Sequence, residues 1–291
     1  ERCDYRTLEY ETDGSVNPYY FSKYRERFLL AYEKYGKKFR LSVIIVGNDP
    51  ASEIYVRNKR KACEAVGIES DTIALDDNAD DESLQSLIKS LAANESVDGI
   101  LVQLPLPEGL DEKAALALIP PEKDVDGFSA CNVGKLTTFA PDAIKACTPY
   151  GMMKLLDYYK IELAGKHAVV VGRSNIVGKP MALLLLQRDC TVTVCHSKTR
   201  NLAEITRQAD ILVCAVGKKH LITADMVKDG AVVLDAGINR VDGKIYGDCD
   251  FDGVKDKVSY ITPVPGGVGP MTVATLLCNT YEAGMRKING R

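Results

Sequence analysis

The sequence predicts an α/β protein built on buried parallel sheets. Short apolar, β-branched runs recur along the 291 residues, and helix-like segments lie between many of them. Most of these runs are continuously apolar, which is typical of strands buried on both faces of a parallel sheet. Alternation of such strands with helices favours right-handed crossovers. The length and the 46% hydrophobic content indicate one large or two ordinary globular domains.

The predicted elements follow one another along the chain. The strands are 41–47, 71–76, 99–105, 167–172, 191–196, 209–217, 231–238 and 259–264. The helices are 18–35, 50–66, 81–93, 111–118, 149–160, 178–188, 200–208, 223–228 and 271–287. Residues 119–148 carry prolines and glycines without a clear period, which predicts a long functional loop with a domain boundary near its end.

Charge and segment patterns argue against several kinds of partner. A formal net charge of −3 gives no broad field for nucleic acid or an anionic membrane. The apolar runs are too short to span a bilayer, and no secretory signal pattern is recognised. The nine cysteines lack metal-ligand spacing and a disulfide framework, which predicts reduced thiols in a cytoplasmic protein without a metal site.

The helix predicted at 50–66 carries a basic side chain on its apolar face. At about 100° per residue, Lys59 falls on the apolar stripe, one turn from Tyr55. Two alternatives follow. Lys59 either extends to solvent along a half-buried face, or it faces a ligand. A lysine held out of water has a lowered pKa and can act as a general acid or base, and Tyr55 would then offer an aromatic wall to a flat ligand.

Two other segments could complete such a site. Gln103 ends a buried strand just before two prolines, so its amide either caps the strand end or orients a nearby lysine. Asp124 and Asp126 lie in the segment KDVDG of the long loop. Loop acids are usually solvated, and the functional alternative is a contact with the same ligand.

A dinucleotide signal lies in residues 167–180, HAVVVGRSNIVGKP, which predict a strand, a tight turn and a helix. Gly172 permits the turn, and the helix start suits a pyrophosphate. The pattern G-x-S-x-x-x-G-x-P departs from G-x-G-x-x-G, so strand–helix packing is the alternative. Glycines in 232–239 and 262–272 would let the backbone approach a flat ligand, unless these segments are mere connectors.

The end of the next strand favours NADP over NAD. NAD-type folds carry an acid there for the ribose diol, and this sequence carries none. Ser197, Lys198 and Arg200 follow the strand instead, and Arg173 lies in the glycine turn. This set suits a 2′-phosphate, and a solvated basic strand end is the alternative.

The order of several motifs resembles one family. YVRNK, VQLPLP, KDVDGF, CTPYG, VVVGRSNIVGKP, DAGIN and ITPVPGGVGPMTVATL stand as in the methylenetetrahydrofolate dehydrogenase/cyclohydrolase family, over residues 41–285. The resemblance implies two α/β domains flanking a cleft, the second a Rossmann-like dinucleotide-binding domain. The expected domains are a folate-binding catalytic domain (1–146), an NADP-binding domain (147–270) and a C-terminal helix returning to the first domain (271–291). Residues 1–40 lack the family's opening motif, so the resemblance is not extended to them.

The resemblance also implies an activity. It is NADP-dependent oxidation of 5,10-methylenetetrahydrofolate to the 5,10-methenyl form, then hydrolysis to 10-formyltetrahydrofolate. The implied catalytic residues are Lys59, Tyr55, Gln103 and Asp126. The implied cofactor-binding residues are Gly172, Arg173, Ser174, Ser197 and Ile238. The implied substrate-binding residues are Tyr55, Val56, Lys59, Val102, Gln103, Leu104, Asp126, Pro265, Gly266, Gly267, Val268 and Gly269. The expected partners are a small folate and a second copy in a homodimer, with no nucleic acid or membrane.

Other functions remain open at the level of sequence. One is a dehydrogenase with weak cyclohydrolase activity or a preference for NAD. Another is a folate- or nucleotide-binding regulatory protein without turnover. An enzyme like shikimate dehydrogenase would fit the coarse two-domain pattern, but it would not account for VQLPLP or PGGVGPMT.

Overall fold

The computed structural model describes residues 6–7 and 18–290. Its strands are β1 (Arg6–Thr7), β2 (Arg40–Val46), β3 (Glu69–Leu75), β4 (Gly99–Val102), β5 (His167–Val171), β6 (Thr191–Cys195), β7 (Ile211–Cys214), β8 (Val232–Asp235), β9 (Asn239–Val241), β10 (Lys244–Tyr246) and β11 (Tyr260–Ile261). Its helices are α1 (Pro18–Tyr35), α2 (Pro50–Val66), α3 (Asp81–Ala93), α4 (Glu112–Ala117), α5 (Ala130–Thr137), α6 (Cys147–Tyr158), α7 (Gly178–Leu186), α8 (Leu202–Thr206), α9 (Phe251–Val254) and α10 (Val268–Ile288), with a 3₁₀ turn at Ala224–Met226.

The described chain divides into two compact α/β units. The first unit comprises residues 18–147 and 273–290, and the second unit comprises residues 148–272 with β1. The α/β class with parallel sheets is confirmed. The part of residues 1–40 that precedes α1 lies outside the described residues, apart from β1.

The first unit is built on a parallel sheet with the strand order β3-β2-β4. The central strand β2 is buried on both faces, as its continuous apolar run predicts. Helix α2 begins where the Asp49 carboxylate accepts the Ser52 N–H, and it ends at Gly67, whose φ of 86° lies in the left-handed region. Local capping therefore sets the ends of the helix that carries Lys59.

The second unit is a Rossmann-like sheet with the strand order β1-β11-β8-β7-β5-β6, parallel throughout. From β5 the chain passes to β6 on one side and then to β7 on the other. The strand order therefore reverses at β5, and open α/β sheets bind ligands at the carboxyl ends of the strands beside such a reversal.

Several predicted boundaries are wrong in detail. The strand predicted at 99–105 ends at residue 102, the helix predicted at 223–228 is a short 3₁₀ turn, and α10 begins at 268 rather than 271. The predicted loop 119–148 contains α5, which starts where the Ser129 hydroxyl accepts the Asn132 N–H. The β9–β10 hairpin was not predicted, although Asp242-Gly243 is a common hairpin turn and both residues have positive φ.

The described residues carry three features related to membranes, metals and cysteines. Among these residues, no helix is long and apolar enough to cross a membrane. No group of three or more His, Cys, Asp or Glu residues in the same part of the chain could hold a metal ion. The cysteines within residues 18–290 are free thiols, and all of these except Cys131 are buried.

Candidate active site

The first unit brings the predicted lysine and glutamine together. Lys59 Nζ donates to Gln103 Oε1 over 2.9 Å. The Gln103 amide is itself oriented, because Nε2 donates to the Leu104 carbonyl over 2.8 Å. Both alternatives for Gln103 hold together, because its side chain bonds the backbone just after β4 and also accepts a hydrogen bond from the lysine. Lys59 is half-buried rather than extended freely into solvent.

Asp126 lies close enough to Lys59 for their charges to interact. Burial raises the pKa of its carboxyl, the positive charge of Lys59 lowers it, and the negative charge of Asp124 raises it again. A carboxyl whose charged form is disfavoured by burial can exchange a proton closer to neutral pH than an exposed aspartate can.

A buried acid forms the turn that presents Asp126. Asp124 is only 3% exposed, so the solvated-acid alternative is wrong for this residue. Its carboxylate accepts backbone N–H groups from Gly127, Phe128 and Ser129 over 2.8–3.2 Å. It also accepts the Asn132 side-chain amide of α5 over 2.9 Å. The Asp124 carboxylate therefore fixes the backbone of the KDVDG turn, which holds Asp126 in a defined position.

Cys147, for which the sequence pattern predicts no role, lies beside Asp126. Its thiol donates to the Val125 carbonyl over 3.3 Å and is buried. Burial first, and then the Asp126 carboxylate, raises the pKa of Cys147 well above its usual range. The thiol therefore stays protonated near neutral pH and packs as a small donor beside the acid. The motif CTPYG contained this residue, but its proximity to Asp126 is a tertiary contact.

In the second unit, the sheet register aligns the ends of four strands. Val171 of β5 pairs with Cys195 of β6 and Cys214 of β7, and Cys214 pairs with Asp235 of β8. The segments that follow these strands therefore lie along one edge. Arg173, Ser174, Ser197 and Ile238 all lie in these segments and are exposed.

The turn after β5 leaves no room for a side chain. Gly172 has a φ of 130°, and a Cβ placed on it would lie 2.2 Å from the Ala215 carbonyl oxygen after β7. The Ser174 hydroxyl accepts the N–H groups of Val177 and Gly178, at the start of α7, over 3.1 and 3.3 Å. The glycine turn fits a dinucleotide, because backbone without a Cβ can approach an incoming phosphate closely.

Two family models match this chain. The tetrahydrofolate dehydrogenase/cyclohydrolase catalytic domain matches residues 20–126, and the NAD(P)-binding domain of the same family matches residues 146–288. The chain belongs to the tetrahydrofolate dehydrogenase/cyclohydrolase family.

Known members of the tetrahydrofolate dehydrogenase/cyclohydrolase family agree with this assignment over most of the chain. The bifunctional protein FolD of Campylobacter concisus is 56% identical over 257 residues, which cover 88% of this chain and 90% of that protein. The crystal structure of the bifunctional enzyme FolD from Campylobacter jejuni superposes with a TM-score of 0.92 at 47% identity, covering 97% and 99% of the two chains. The Trypanosoma brucei enzyme, solved with NADP cofactor and an inhibitor, superposes with a TM-score of 0.89 at 40% identity, covering 93% and 95%.

The remaining substrate-binding predictions divide between the units of this family member. In the first unit, Val56 and Val102 have buried side chains, whereas Tyr55 and Leu104 are half-buried. In the second unit, residues 265–267 form a turn after β11, the strand that pairs with β8, and residues 268–269 begin α10. A Cβ on Gly267 would lie 2.6 Å from the Pro263 carbonyl oxygen, so the tight PGGVG turn requires glycine there.

Proposed function

We propose that this protein oxidises 5,10-methylenetetrahydrofolate with NADP and hydrolyses the resulting methenyl compound to 10-formyltetrahydrofolate. The observation that carries the proposal is the 2.9 Å hydrogen bond between Lys59 and Gln103, in the unit that matches the family's catalytic domain. Both side chains are half-buried, and neither belongs to the hydrophobic core. A lysine that an amide orients next to a partly buried acid is suited to moving protons.

Hydrolysis needs three proton movements. Water adds to the methenyl carbon and loses a proton, which leaves a hydroxyl group on that carbon. The bond from the carbon to the ring nitrogen N5 then breaks as N5 gains a proton and the hydroxyl loses its proton to become the formyl carbonyl. The formyl group remains on N10, and one proton is released overall. In the amine form, Lys59 takes the proton from the added water and can return it to N5. Gln103 holds the lysine by accepting from Nζ, and it cannot compete for the proton because an amide does not titrate.

Asp126 and Tyr55 are assigned to binding the folate. A pterin ring presents adjacent ring and amino N–H groups, and a carboxylate can accept from both of them. The Asp124-bound turn gives Asp126 a fixed position, which favours one orientation of the ring. Tyr55 lies one helical turn before Lys59 and can stack on a flat ring beside the reacting carbon.

NADP, when bound, accepts the hydride from the folate methylene carbon. Gly172 lets the backbone after β5 approach the pyrophosphate closely. Arg173 and Ser197 follow aligned strand ends and are exposed, so they are free to bind a 2′-phosphate. The Trypanosoma brucei relative contains NADP, which supports the same choice here.

We further place the protein in the reducing cytoplasm as a homodimer. The free thiols of the described cysteines support a reducing compartment. Sedimentation velocity of the purified chain tests the dimer, and a monomer at micromolar concentration would contradict it.

The decisive experiment follows reduced cofactor and methenyl product separately by absorbance. The protein is mixed with 5,10-methylenetetrahydrofolate and either NADP or NAD, and the decay of added methenyltetrahydrofolate is compared with its uncatalysed rate. Reduction of NADP together with accelerated decay supports both activities. Reduction without accelerated decay leaves a dehydrogenase alone. Tight folate binding without any reduction supports the regulatory protein instead.

A further inference from the structure

Two segments of the second unit follow strands on one side of β5, the strand at which the strand order reverses. Residues 215–218 follow β7, and residues 236–239 follow β8. The Ala215 N–H donates to the Val171 carbonyl at the end of β5, so the first segment lies directly beside the glycine turn. Both segments therefore line the crevice where an open α/β sheet binds its ligand.

A fully buried carboxylate holds the first of these segments. Asp248 is 0% exposed and accepts the consecutive backbone N–H groups of Val216, Gly217 and Lys218 over 2.6, 3.1 and 2.8 Å. Consecutive N–H groups that converge on one point form an anion-binding nest, and here the protein's own acid occupies it. The same carboxylate accepts the Asn239 side-chain amide over 2.9 Å, which ties the segment after β7 to the segment after β8.

A second buried carboxylate lies beneath the first. Asp235 ends β8, is 3% exposed, and accepts the N–H groups of Gly237, Asp248 and Cys249 over 2.8–3.1 Å. It thereby fixes the backbone of Asp248 itself. Glycines make room for both acids, since a Cβ on Gly247 would lie 2.0 Å from the Asp235 carboxylate and a Cβ on Gly237 would lie 2.4 Å from that of Asp248.

The desolvation of the two buried carboxylates lowers the free energy of unfolding. Within the described residues neither carboxylate forms a salt bridge, so two like charges lie close together without a buried cation. Burying a charge without a counter-ion costs several kcal/mol of desolvation free energy. A neutral polar side chain would accept fewer N–H groups, but its desolvation would cost less. What the pair of acids does achieve is a fixed geometry for two loops, and those loops lie at the ligand edge of the sheet.

We propose that Asp248, supported by Asp235, is a positioning residue of the dinucleotide site, holding residues 216–218 and 236–239 as one rigid surface for the cofactor. Neither acid touches the cofactor in this scheme. The inference rests on the proposed NADP-dependent function, and it adds the residues that preorganise the part of the site beside the Gly172 turn. Preorganisation lowers the entropy that binding must remove, so its loss weakens cofactor binding more than it slows hydride transfer.

The test compares two carboxylates of the same unit in the full-length protein. Asp248→Asn keeps the side chain's shape but turns an NH₂ group toward the loop N–H groups. Asp210→Asn is the matched control, because Asp210 also accepts a backbone N–H, that of His167, but at the opposite end of β5. For each variant, the KM for NADP, kcat, the rate of methenyl hydrolysis without cofactor, and amide hydrogen exchange at 216–218 are measured.

We expect Asp248→Asn to raise the KM for NADP by about tenfold or more, since hydrogen bonds to a charged group are lost. We expect kcat and cofactor-free hydrolysis to change by less than about threefold, and exchange to accelerate at 216–218 but not in the Asp210→Asn control. A folded Asp248→Asn protein with unchanged KM and unchanged exchange would overturn the inference. An equal rise of KM in the Asp210→Asn control would also overturn it, because the effect would then be general destabilisation.

Two safeguards keep the result decisive. If Asp248→Asn does not fold, Gly217→Ala replaces it, because Gly217 has a φ of 65° and an added Cβ meets nothing within 4 Å. That variant disturbs the loop alone and should raise the KM for NADP by at least about threefold through backbone strain. A wild-type protein that reduces no NADP refutes the proposed function, whereas normal reduction by wild type and by every variant refutes only the positioning role.

Discussion

The two units build their candidate sites in different ways. In the first unit, the site consists of side chains that touch one another, as in the pair Lys59–Gln103. In the second unit, the site consists of backbone at the ends of parallel strands, with glycine at the closest approach and buried acids behind it. The first site therefore depends on the chemistry of its side chains, whereas the second depends on positions where a side chain would not fit.

The largest expected effect comes from removing the lysine. Lys59→Ala should slow methenyl hydrolysis by about 10²–10⁴-fold, the usual contribution of a general acid or base, while folate binding persists. Lys61→Ala is the matched control, since Lys61 is exposed on the same helix. The decay of methenyltetrahydrofolate absorbance measures the rate of hydrolysis in both variants. Hydrolysis at the wild-type rate in Lys59→Ala would remove the lysine from the mechanism.

A single methyl group should damage the second site. Gly172→Ala combines left-handed backbone strain of about 1–2 kcal/mol with overpacking of about 1–3 kcal/mol against the Ala215 carbonyl. The free energy of unfolding should fall by the sum, and NADP binding should fall with it. Gly165→Ala has the same kind of positive φ but open space around the added Cβ, so it should lose the strain energy alone. Urea denaturation measures the difference, and equal losses in both variants would contradict the clash.

The buried acids of the second unit should make stability depend on pH. Burial raises the pKa of Asp235 from 3.8 to about 6. Because the folded-state pKa is the higher one, protonation of Asp235 stabilises the folded protein fully below about pH 3.8, and this contribution is lost as pH rises through about 6. The difference is about 3 kcal/mol. Denaturation of wild type and Asp235→Asn between pH 4 and 7 checks this, and parallel curves would assign the slope to other groups.

The smallest expected effect is on cofactor choice. Arg173→Ala should weaken NADP binding by about tenfold to a hundredfold, the value of a charge-assisted hydrogen bond, and should leave NAD binding almost unchanged. Arg188→Ala is the control, since Arg188 is an exposed arginine near the other end of α7 that pairs with Asp157. Fluorescence titration with each cofactor measures the two affinities. Equal weakening of NADP and NAD by Arg173→Ala would remove the 2′-phosphate argument.

The predicted helix boundaries were most accurate where the signal is local. Helices α2 and α3 begin and end at the predicted residues. Asp49 and Asp80 fix the starts by accepting N–H groups three residues ahead of them, and Gly67 ends α2. The apolar runs of β2 and β5 also identified their strands. Lys59 was found because a helix fixes which face each residue occupies. These features depend on neighbours within a few positions, and a sequence contains that information directly.

The missed features depend on contacts between distant residues. Asp124 is buried because α5 supplies Asn132 and because β4 pairs with the loop through Ile100, and none of this follows from the letters KDVDG. Cys147 lies beside Asp126 partly because Asn279, 154 positions after Val125, donates to the Val125 carbonyl. The Asp235–Asp248 arrangement joins the segments after β7 and β8 to the β9–β10 hairpin. In each case the burial of a polar group is decided by tertiary structure.

The chain path of the first unit has a consequence for synthesis. Asn279 of α10 donates to the carbonyls of Val125 and Lys145, yet residues 148–272 of the second unit lie between Lys145 and Asn279 in sequence. A ribosome therefore completes residues 148–272 before it supplies Asn279 and the rest of α10. Because domains form as their residues emerge, the Rossmann-like unit should be folded on the nascent chain while the unit carrying Lys59 still waits for its last helix.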